Sequence, residues 1–577
     1  MALPALTTVL CLFSPLLLTA IASAREKRPN LTMGAPGPVT AHSGGRRLVH
    51  SHAKECDIPG TVDLSVREGD DTAYGQALYP VPAEDPNDPL QWSPIRKTLI
   101  LVVCSLYSFL SNSALLGPSV YIGIFAAEFN TSFTDASNLI SYANLAFGFG
   151  SLLLVPSYHK FGRRPVMLGS LILYCGGLLA CSQVQTYSGL MAARVVHCFG
   201  ASVCEALPVQ LVNDIFFLHE RGKRLGYYTV CLCFGATGPL FAGYMLNGGH
   251  SWRLFFWVEF AFGAALFILA FLVVEETLYH RKPPVGSSSP ERQSLESGEE
   301  KPTAVESTTP ETGAAIPPRK TFVQSLKFWG VYEKDADFLL MIARSFTYFL
   351  VPHVLWVITT YGIYIGLGAL TFNYIFPLKI TAPPYNWSQL DSGLIAVASF
   401  LGYLLAIPFT PSSDRLAARL TRKNKGIREA EMRLGVMLPV MLLAPAGLIV
   451  FGFAAERDLH WVAYFAGVVM CNFCSYFYFT FTLAYAIDSY TSNISEMLIA
   501  MNLGKQAISF GMGLDLLDWV TRHGYAVMIA GVFGAILLAN NLALLVFMLY
   551  GKRIRAFMST TWLARVHRES VREVATH

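Results

Sequence analysis

Two charged residues share an apolar stretch of the chain, where they could take part in proton chemistry. Arg194 and Glu205 are eleven residues apart in the run 190–211. That is close to three turns of a helix, so both side chains lie on one face, about 16 Å apart along the axis. Charged groups inside a membrane are costly and normally face a water-filled path or an ionic partner. We expect Glu205 to bind and release a proton, because burial favours the neutral carboxyl group. The alternative is a contact that only holds the helices together.

Twelve apolar runs of the chain are each long enough to form a helix across a lipid bilayer. A transmembrane helix needs roughly 20 mostly apolar residues, and 53% of the chain is hydrophobic whereas only 14% is charged. This composition predicts an all-α membrane protein rather than a soluble domain. The predicted spans are residues 97–122, 139–156, 166–182, 190–211, 225–246, 254–274, 347–374, 394–409, 434–454, 461–487, 497–520 and 525–550.

Polar segments divide the chain into domains. Residues 276–337 are rich in Ser, Pro, Glu and Lys and have no apolar period, which is typical of a disordered linker. The linker separates an N-terminal six-helix bundle, residues 97–275, from a C-terminal six-helix bundle, residues 338–550. Residues 25–96 form a second polar region, which we expect to be mostly unstructured, and residues 551–577 form a tail.

Positive charge predicts which loops face the cytoplasm. Lys and Arg concentrate at residues 160–164, 221–224 and 415–433, in alternate loops. Cytoplasmic loops carry such an excess, so these loops, the N-terminal region and the tail are predicted to be cytoplasmic. The sequons at Asn130 and Asn386 then fall in external loops, where they could be glycosylated.

The first 24 residues are apolar and leave three interpretations open. They end in small residues that resemble a secretory cleavage site, although no basic residues precede the apolar run. Cleavage would place residues 25–96 outside and invert the loop assignment. An additional span with an external N-terminus would agree with the loop charges. A wrongly assigned first exon would make the segment an artefact of the gene model.

The loop after the second span contains a short glycine and arginine motif. Gly162, Arg163 and Arg164 precede a proline. The pattern resembles the signature between helices two and three of the major facilitator superfamily. The glycine suits a tight turn, and the guanidinium groups can pair with acids or helix C-termini. His159 stands where the superfamily usually has Asp, so one expected acidic partner is missing here or depends on pH.

The second half of the chain repeats this pattern. Gly402 is followed twelve residues later by Asp414 and then by Arg415, just as Gly150 is followed twelve residues later by Gly162 and then by Arg163. Such a repeat is expected of two related six-helix bundles. The resemblance implies the major facilitator fold, with these residues in a gating network at the inner face. It also implies a role in proton coupling for Arg194, which would tune the proton affinity of Glu205.

The fifth predicted span carries small residues at close spacing. Gly235, Gly238, Pro239, Ala242 and Gly243 would let neighbouring helices approach closely, and the proline weakens the helix locally. The series is similar to the motif that marks antiporters in the superfamily. The gap before the Gly-Pro pair is one residue shorter here, and an alanine replaces one glycine.

Further stretches narrow the branch of the superfamily. Residues 85–97, 213–222, 424–434 and 488–490 resemble fungal twelve-span drug:proton antiporters. This resemblance implies proton-coupled export of a drug, toxin or secondary metabolite across the plasma membrane of a fungal cell, with the two halves rocking around the site. The branch also includes permeases that take up polyamines or other organic cations, which is the alternative. A non-transporting nutrient sensor is a more distant one.

Polar and amphipathic residues inside the spans are candidates for a substrate pocket near the midplane, between the two halves. For each residue alone, helix packing is the competing explanation. The candidates are Asn112, Asn144, His353, Trp356, Tyr361, Asn472, Tyr476, Lys505 and Gln506.

The sequence offers no motif for another energy source or for chemistry. It has no glycine-rich phosphate loop for ATP, and its histidines are scattered. Cys471 and Cys474 lack the further ligands that a zinc site needs. We therefore predict that the protein is not an enzyme and has no cofactor. The predicted partners are a small-molecule substrate, protons and the bilayer, without nucleic acid, and the protein is predicted to be a monomer.

Overall fold

The computed structural model describes residues 49–279, 321–329, 332 and 337–567, apart from 57, 68, 74–75, 84, 389–390 and 490–493. Twelve helices of at least 17 residues run through these ranges, and each coincides with a predicted span. They are α1 Pro94–Glu128, α2 Phe133–Phe161, α3 Arg163–Gln183, α4 Tyr187–Ile215, α5 Leu218–Met245, α6 Arg253–Val273, α7 Pro352–Thr381, α8 Asp391–Lys423, α9 Val440–Glu456, α10 Trp461–Ser489, α11 Ile494–Leu514 and α12 Ala526–Thr560.

Within the described ranges, ten of these helices are long and apolar enough to cross a membrane. The ninth joins them if α9 is counted together with the preceding 3-10 segment Ala430–Met437, which meets it at a bend of 41°. Pro439 lies at the bend, where a proline cannot donate a helical hydrogen bond. The helix α11 is less apolar, because it carries Glu496 and Lys505.

Short elements connect the long helices. Three short helices span Phe322–Ser325, Phe338–Leu350 and Leu516–His523. Five short strands are β1 Lys54–Glu55, β2 Thr61–Asp63, β3 Thr72–Ala73, β4 Gln76–Ala77 and β5 Ile427–Glu429. We call the end of the helices where α1 begins the proximal end and the opposite end, where α1 finishes, the distal end.

The two halves pack against each other along two seams. One seam places α2 on α11, and the other places α5 on α8 and α10. Glycines permit the close approach on both: a Cβ on Gly148 would lie 2.9 Å from Cβ of Gln506, and one on Gly226 would collide with the methyl group of Thr410.

The polar region before α1 is folded in its described part, so the expectation that residues 25–96 are mostly unstructured is wrong for residues 49–92, which we call the N-terminal segment. Its strand β2 pairs antiparallel with β1 and with β5, which follows α8. Val62 stands opposite Arg428 in this three-stranded sheet. The guanidinium group of Arg555, on α12, donates a hydrogen bond to the carbonyl oxygen of Pro59.

The N-terminal segment also contacts the first half. Val62, Leu64 and Ala77 form a small apolar cluster with Leu218, at the start of α5. The backbone nitrogen of Leu218 donates to the carbonyl oxygen of Tyr79 at 2.7 Å. The segment therefore joins the two halves at the proximal end.

The loop between α2 and α3 makes the turn that the motif predicted. Gly162 has φ +93° and precedes α3. A carboxylate from the chain after α6, Glu276, accepts hydrogen bonds from the backbone nitrogens of Arg163 at 3.0 Å and Arg164 at 3.2 Å. This satisfies two of the free N–H groups at the start of α3. The guanidinium group of Arg164 donates to carbonyl oxygens at the end of α6, including that of Phe271 at 2.7 Å.

The predicted linker is ordered at both of its described ends. Glu276 caps α3, and the hydroxyl of Tyr279 donates to Asp85 at 3.0 Å. Residues 321–329 include a short helix and supply the Leu326 carbonyl to Arg164. Residues 280–320 lie outside the described ranges, as do the first 24 residues of the chain.

Substituting Gly162 by alanine is expected to destabilise the protein. The new Cβ would collide with the Glu276 carboxylate, and φ +93° is unfavourable for any L side chain. We expect a loss of about 1–3 kcal/mol, seen as a lower midpoint of thermal unfolding in detergent. The matched control is Gly169→Ala, inside the following helix α3, where nothing lies within 4 Å of the new Cβ. That control should keep or raise the midpoint, and equal midpoints for both variants would contradict the account.

Substituting Val62 by aspartate is expected to release the N-terminal segment from the proximal end. Val62 is 3% exposed, and a carboxylate there would lose the apolar contacts and be desolvated, while Arg428 on the opposite strand is already paired with Asp488; the expected cost is on the order of 2–4 kcal/mol. Limited proteolysis should then cut within residues 49–92. The matched control is Val66→Asp, because Val66 is 50% exposed. Equal proteolysis of both variants would show that the sheet does not hold the segment.

Candidate functional site

A buried ion pair joins the two halves between the proximal and distal ends. Lys505, on α11, contacts the carboxylate of Glu205, on α4. Their side chains are only 4% and 12% exposed. The ammonium group also lies 5.5 Å from the ring centroid of Tyr361, on α7. Three of the predicted site residues thus meet at one point of the interface.

A local break in α4 positions the carboxylate. The helix is interrupted at Ser202, between Tyr187–Ala201 and Val203–Ile215, so Glu205 stands in the first turn of the second part. Pro208 cannot donate to the carbonyl oxygen of Cys204, which instead accepts from the hydroxyl of Ser108 at 2.6 Å.

Arg194 makes a different set of contacts from those expected. It is fully buried and donates to three backbone carbonyl oxygens, those of Ala114 at 3.1 Å, Leu115 at 2.8 Å and Leu139 at 3.0 Å. The guanidinium group therefore holds α4 against α1 and α2. The cation paired with the carboxylate of Glu205 is Lys505, and a role of Arg194 in proton coupling stays a prediction.

A second charged network crosses between the halves at the proximal end. Asp414, on α8, accepts from the backbone nitrogen of Lys223, on α5, at 2.7 Å. The same carboxylate pairs with Arg433 at 2.7 Å, and Arg433 also contacts Asp488. Gly222 is required beside it, because a Cβ there would collide with Asp414. Asp414 thus contacts the other half where the repeat predicts a gating residue, and its role in gating stays a prediction.

Two buried arginines of this network, Arg428 and Arg433, are both paired with the carboxylate of Asp488. Arg428, in β5, pairs with Asp488 at 3.5 Å. Burial lowers the pKa of Arg428, and the neighbouring charge of Arg433 lowers it further. The acid therefore keeps two guanidinium groups charged in a desolvated place. Arg415 is exposed and has no ion pair within the described ranges, so the guanidinium group of the second repeat is supplied by Arg433 instead.

The first repeat uses its motif in a related way. Arg163 pairs with Asp214, on α4, at 3.1 Å. His159 lies 2.5 Å from the hydroxyl of Ser495, on α11, which donates to Gln210 at 3.3 Å. His159 thus provides a polar contact between the halves where the superfamily usually has Asp.

The small residues of α5 bring that helix against α1 and α8. A Cβ on Gly235 would lie 2.6 Å from the carbonyl oxygen of Phe109, and one on Gly238 would lie 2.5 Å from that of Ser113. The carbonyl group of Pro239 approaches Gly393 as closely. Gly243 is also buried. The close packing predicted for this helix is present, whereas its role in gating stays a prediction.

Most other predicted pocket residues act as tethers between helices. The amide of Asn112 donates to Leu232, that of Asn144 to Ser509, and the indole of Trp356 to Asn540. The side chain of Asn472 forms hydrogen bonds with the hydroxyl groups of Tyr403 and Ser399, and the hydroxyl of Tyr476 lies 2.6 Å from that of Thr410. The ring of His353 packs on that of Tyr485, and the side chain of Gln506 lies against Gly148.

A cleft of about 700 Å³ opens between the halves toward the distal end. It is bordered by the end of α1, from Ser119 to Glu128, and by the end of α7, from Tyr374 to Thr381. The lining is largely apolar. None of the nine predicted pocket residues borders this cleft, so their joint role in binding remains a prediction.

One buried acid was missed in the analysis of the sequence. Glu259, on α6, is 5% exposed, and its carboxylate accepts from the hydroxyl of Ser113 at 2.7 Å. The signal was present, because this is the only charged residue in the apolar run 254–274. Across the described ranges, no group of three or more His, Cys, Asp or Glu residues could hold a metal ion.

Comparisons with known proteins agree on one family. The model of the Major Facilitator Superfamily matches residues 101–514. The uncharacterized MFS-type transporter C1271.10c of Schizosaccharomyces pombe is 23% identical over 526 residues, which cover 83% of this chain and 88% of that protein. The probable efflux pump mfs2 of Aspergillus flavus is 25% identical over 424 residues, or 72% and 92% of the two chains.

A solved structure supports the same fold. The proton:xylose symporter XylE, bound to 6-bromo-6-deoxy-D-glucose, aligns with a TM-score of 0.54 at 13% identity, over 79% of this chain and 97% of its own. The family match covers most of the twelve helices, and the arrangement of those helices is the one shared with XylE. The chain therefore belongs to the Major Facilitator Superfamily, a family of membrane transporters rather than enzymes.

Proposed function

We propose that this protein exports a small organic molecule in exchange for protons, as a monomer that works by alternating access. The observation that carries the proposal is the buried pair of Glu205 and Lys505 between the two halves. An intramembrane acid paired across a moving interface is the type of group that proton-driven transporters use.

The pair supplies a means of coupling. Ionised Glu205 attracts Lys505 and holds α4 against α11. When Glu205 takes up a proton from outside, this attraction is lost, and a buried ammonium group without its partner costs about 3–5 kcal/mol. The halves then separate at this point, unless Lys505 reaches water. A cationic group of the substrate would compete with the proton for the carboxylate of Glu205, so proton binding and substrate binding at this carboxylate become mutually exclusive.

Export is the direction favoured by the packing of α5. Its antiporter-like residues Gly235 and Gly238 lie directly on the backbone of α1. A relative named as a probable efflux pump agrees with export. Uptake of polyamines or other organic cations is the alternative, and it would reverse the sign of the transport measurement below.

The proposed setting is the plasma membrane of a fungal cell, with the proximal end in the cytoplasm. The arginine-rich loops lie at this end, in accordance with the positive-inside rule. The N-terminal segment and the end of α12 meet there as well. The cleft near Glu128 would then face outward.

The direct test is retention of organic cations, fungal metabolites and azole drugs in cells that express the wild type or Glu205→Gln. The wild type should lower retention of at least one compound, and a protonophore should abolish the effect. Glu205→Gln and Lys505→Gln should each raise retention to that of non-expressing cells, because neither can form the pair. Higher accumulation with the wild type would identify uptake instead.

A matched control separates this site from charge loss in general. Asp518 and Arg522 form an exposed pair at 3.3 Å in the short helix Leu516–His523. Asp518→Asn should therefore leave transport unchanged. If Glu205→Gln and Asp518→Asn behaved alike while both proteins reached the membrane, the pair would have no part in coupling.

Glycan mapping tests the proposed orientation. Asn130 and Asn386 are exposed, lie at distal turns and have φ of 50° and 52°. Asn130→Gln and Asn386→Gln should each remove one glycan that an endoglycosidase otherwise releases. The chain has two further sequons, at Asn30 and Asn493, which lie outside the described residues. Glycans at either of them would place the proximal end outside the cell.

A further inference from the structure

The buried acid of α6 lacks the cationic partner that Glu205 has. Glu259 is 5% exposed inside a helix whose other residues in the run 254–274 are uncharged. Its Oε1 atom accepts from Ser113 at 2.7 Å, whereas its Oε2 atom has no hydrogen bond of normal geometry among the described residues and is faced by the hydroxyl of Tyr174, on α3. Acids placed so deep in a membrane protein mark proton or ion pathways.

We propose that Glu259 is a second proton-binding residue of the transport cycle, located in the first half. This inference rests on the proposed proton-coupled function. In this proposal, the carboxylate of Glu259 binds one proton that enters through the distal cleft. It releases the same proton later in the cycle, and no other covalent bond forms or breaks.

The groups that face Glu259 include no second carboxylate, so Glu259 is the acidic residue of this site within the described part of the chain. On α1, the facing polar group is the hydroxyl of Ser113. On α3, the titratable neighbours are Tyr174 and Cys175, which lie 3.1 and 3.0 Å from the position of a Cβ on Gly263, one turn beyond Glu259. No Lys, Arg or His within the described ranges forms an ion pair with it.

Ser113 connects this carboxylate to the antiporter-like motif. Gly238, on α5, packs on the backbone of Ser113, with 2.5 Å between the carbonyl oxygen and the position of a Cβ. A proton on Glu259 changes the acceptor of the Ser113 hydroxyl from a charged to a neutral oxygen, and hydrogen bonds to charged acceptors are roughly twice as strong. The protonation state of Glu259 therefore changes the strength of a hydrogen bond at the contact between α1 and α5.

The distal cleft ends a short distance from Glu259 along α1. Ser119 borders the cleft, six residues beyond Ser113 on the same helix, or about 9 Å along its axis. Between them, the ring of Phe255, one turn before Glu259 on α6, fills the space that Gly117 leaves open. Phe255 therefore separates the carboxylate from the cleft in this conformation.

Infrared titration of the full-length protein in lipid vesicles tests the proposal without a known substrate. A neutral buried carboxyl group gives a carbonyl stretching band that disappears as the pH rises. We expect this band in the wild type and in Glu205→Gln, and its loss in Glu259→Gln. The amide introduced by Glu259→Gln can still accept from Ser113, so folding should be preserved.

A second variant keeps the proposal testable if Glu259→Gln fails to fold. Ser113→Ala removes the hydrogen bond but keeps the acid, so the band should remain and move to higher frequency. A band unchanged in both variants, or one that does not respond to pH, would overturn the proposal.

The retention assay then relates this site to transport. Glu259→Gln should abolish the protonophore-sensitive part of export, whereas Asp518→Asn should keep it. If the wild type itself shows no protonophore-sensitive transport, the proposed function fails, and the infrared band still decides whether Glu259 binds a proton.

Discussion

The structure depends on how charge is accommodated inside an apolar body. Glu205 and Lys505 are buried together where the two halves meet, so each is tolerable only while the other is present. Arg194, which forms no ion pair with any of the residues that the structure describes, is satisfied by three carbonyl oxygens of neighbouring helices. One arrangement links the two halves, and the other holds helices of the first half together. The difference explains why two charges on one helix serve unlike purposes.

The proximal end repeats this principle with more partners. Arg433 lies between Asp414 and Asp488, and Asp414 in turn accepts from the backbone of α5. The N-terminal segment covers this network, and a Cβ on Gly60 would lie 2.7 Å from the carbonyl oxygen of Asp488. Opening the protein at this end therefore requires the separation of charges and the displacement of the segment above them.

Apolar periodicity predicted the helices well, because lipid and the protein core both select long apolar runs. The turn at Gly162 and the acid at Asp414 followed from motifs that have a local physical meaning. The pairing of Glu205 with Lys505 could not be predicted in this way, because the two residues are 300 positions apart and only the packing of α4 on α11 brings them together. The strands before α1 were missed for the same reason: β2 is three residues long and is completed by β5, far along the chain.

The contact between Pro59 and Arg555 joins residues that are 496 positions apart. The N-terminal segment is synthesised first, but it cannot complete its contacts until the last helix has been made. A chain that stops before α12 would leave β2, β5 and their charged neighbours without the guanidinium group that ties them together. The contacts of the N-terminal segment are therefore complete only after α12 has been synthesised.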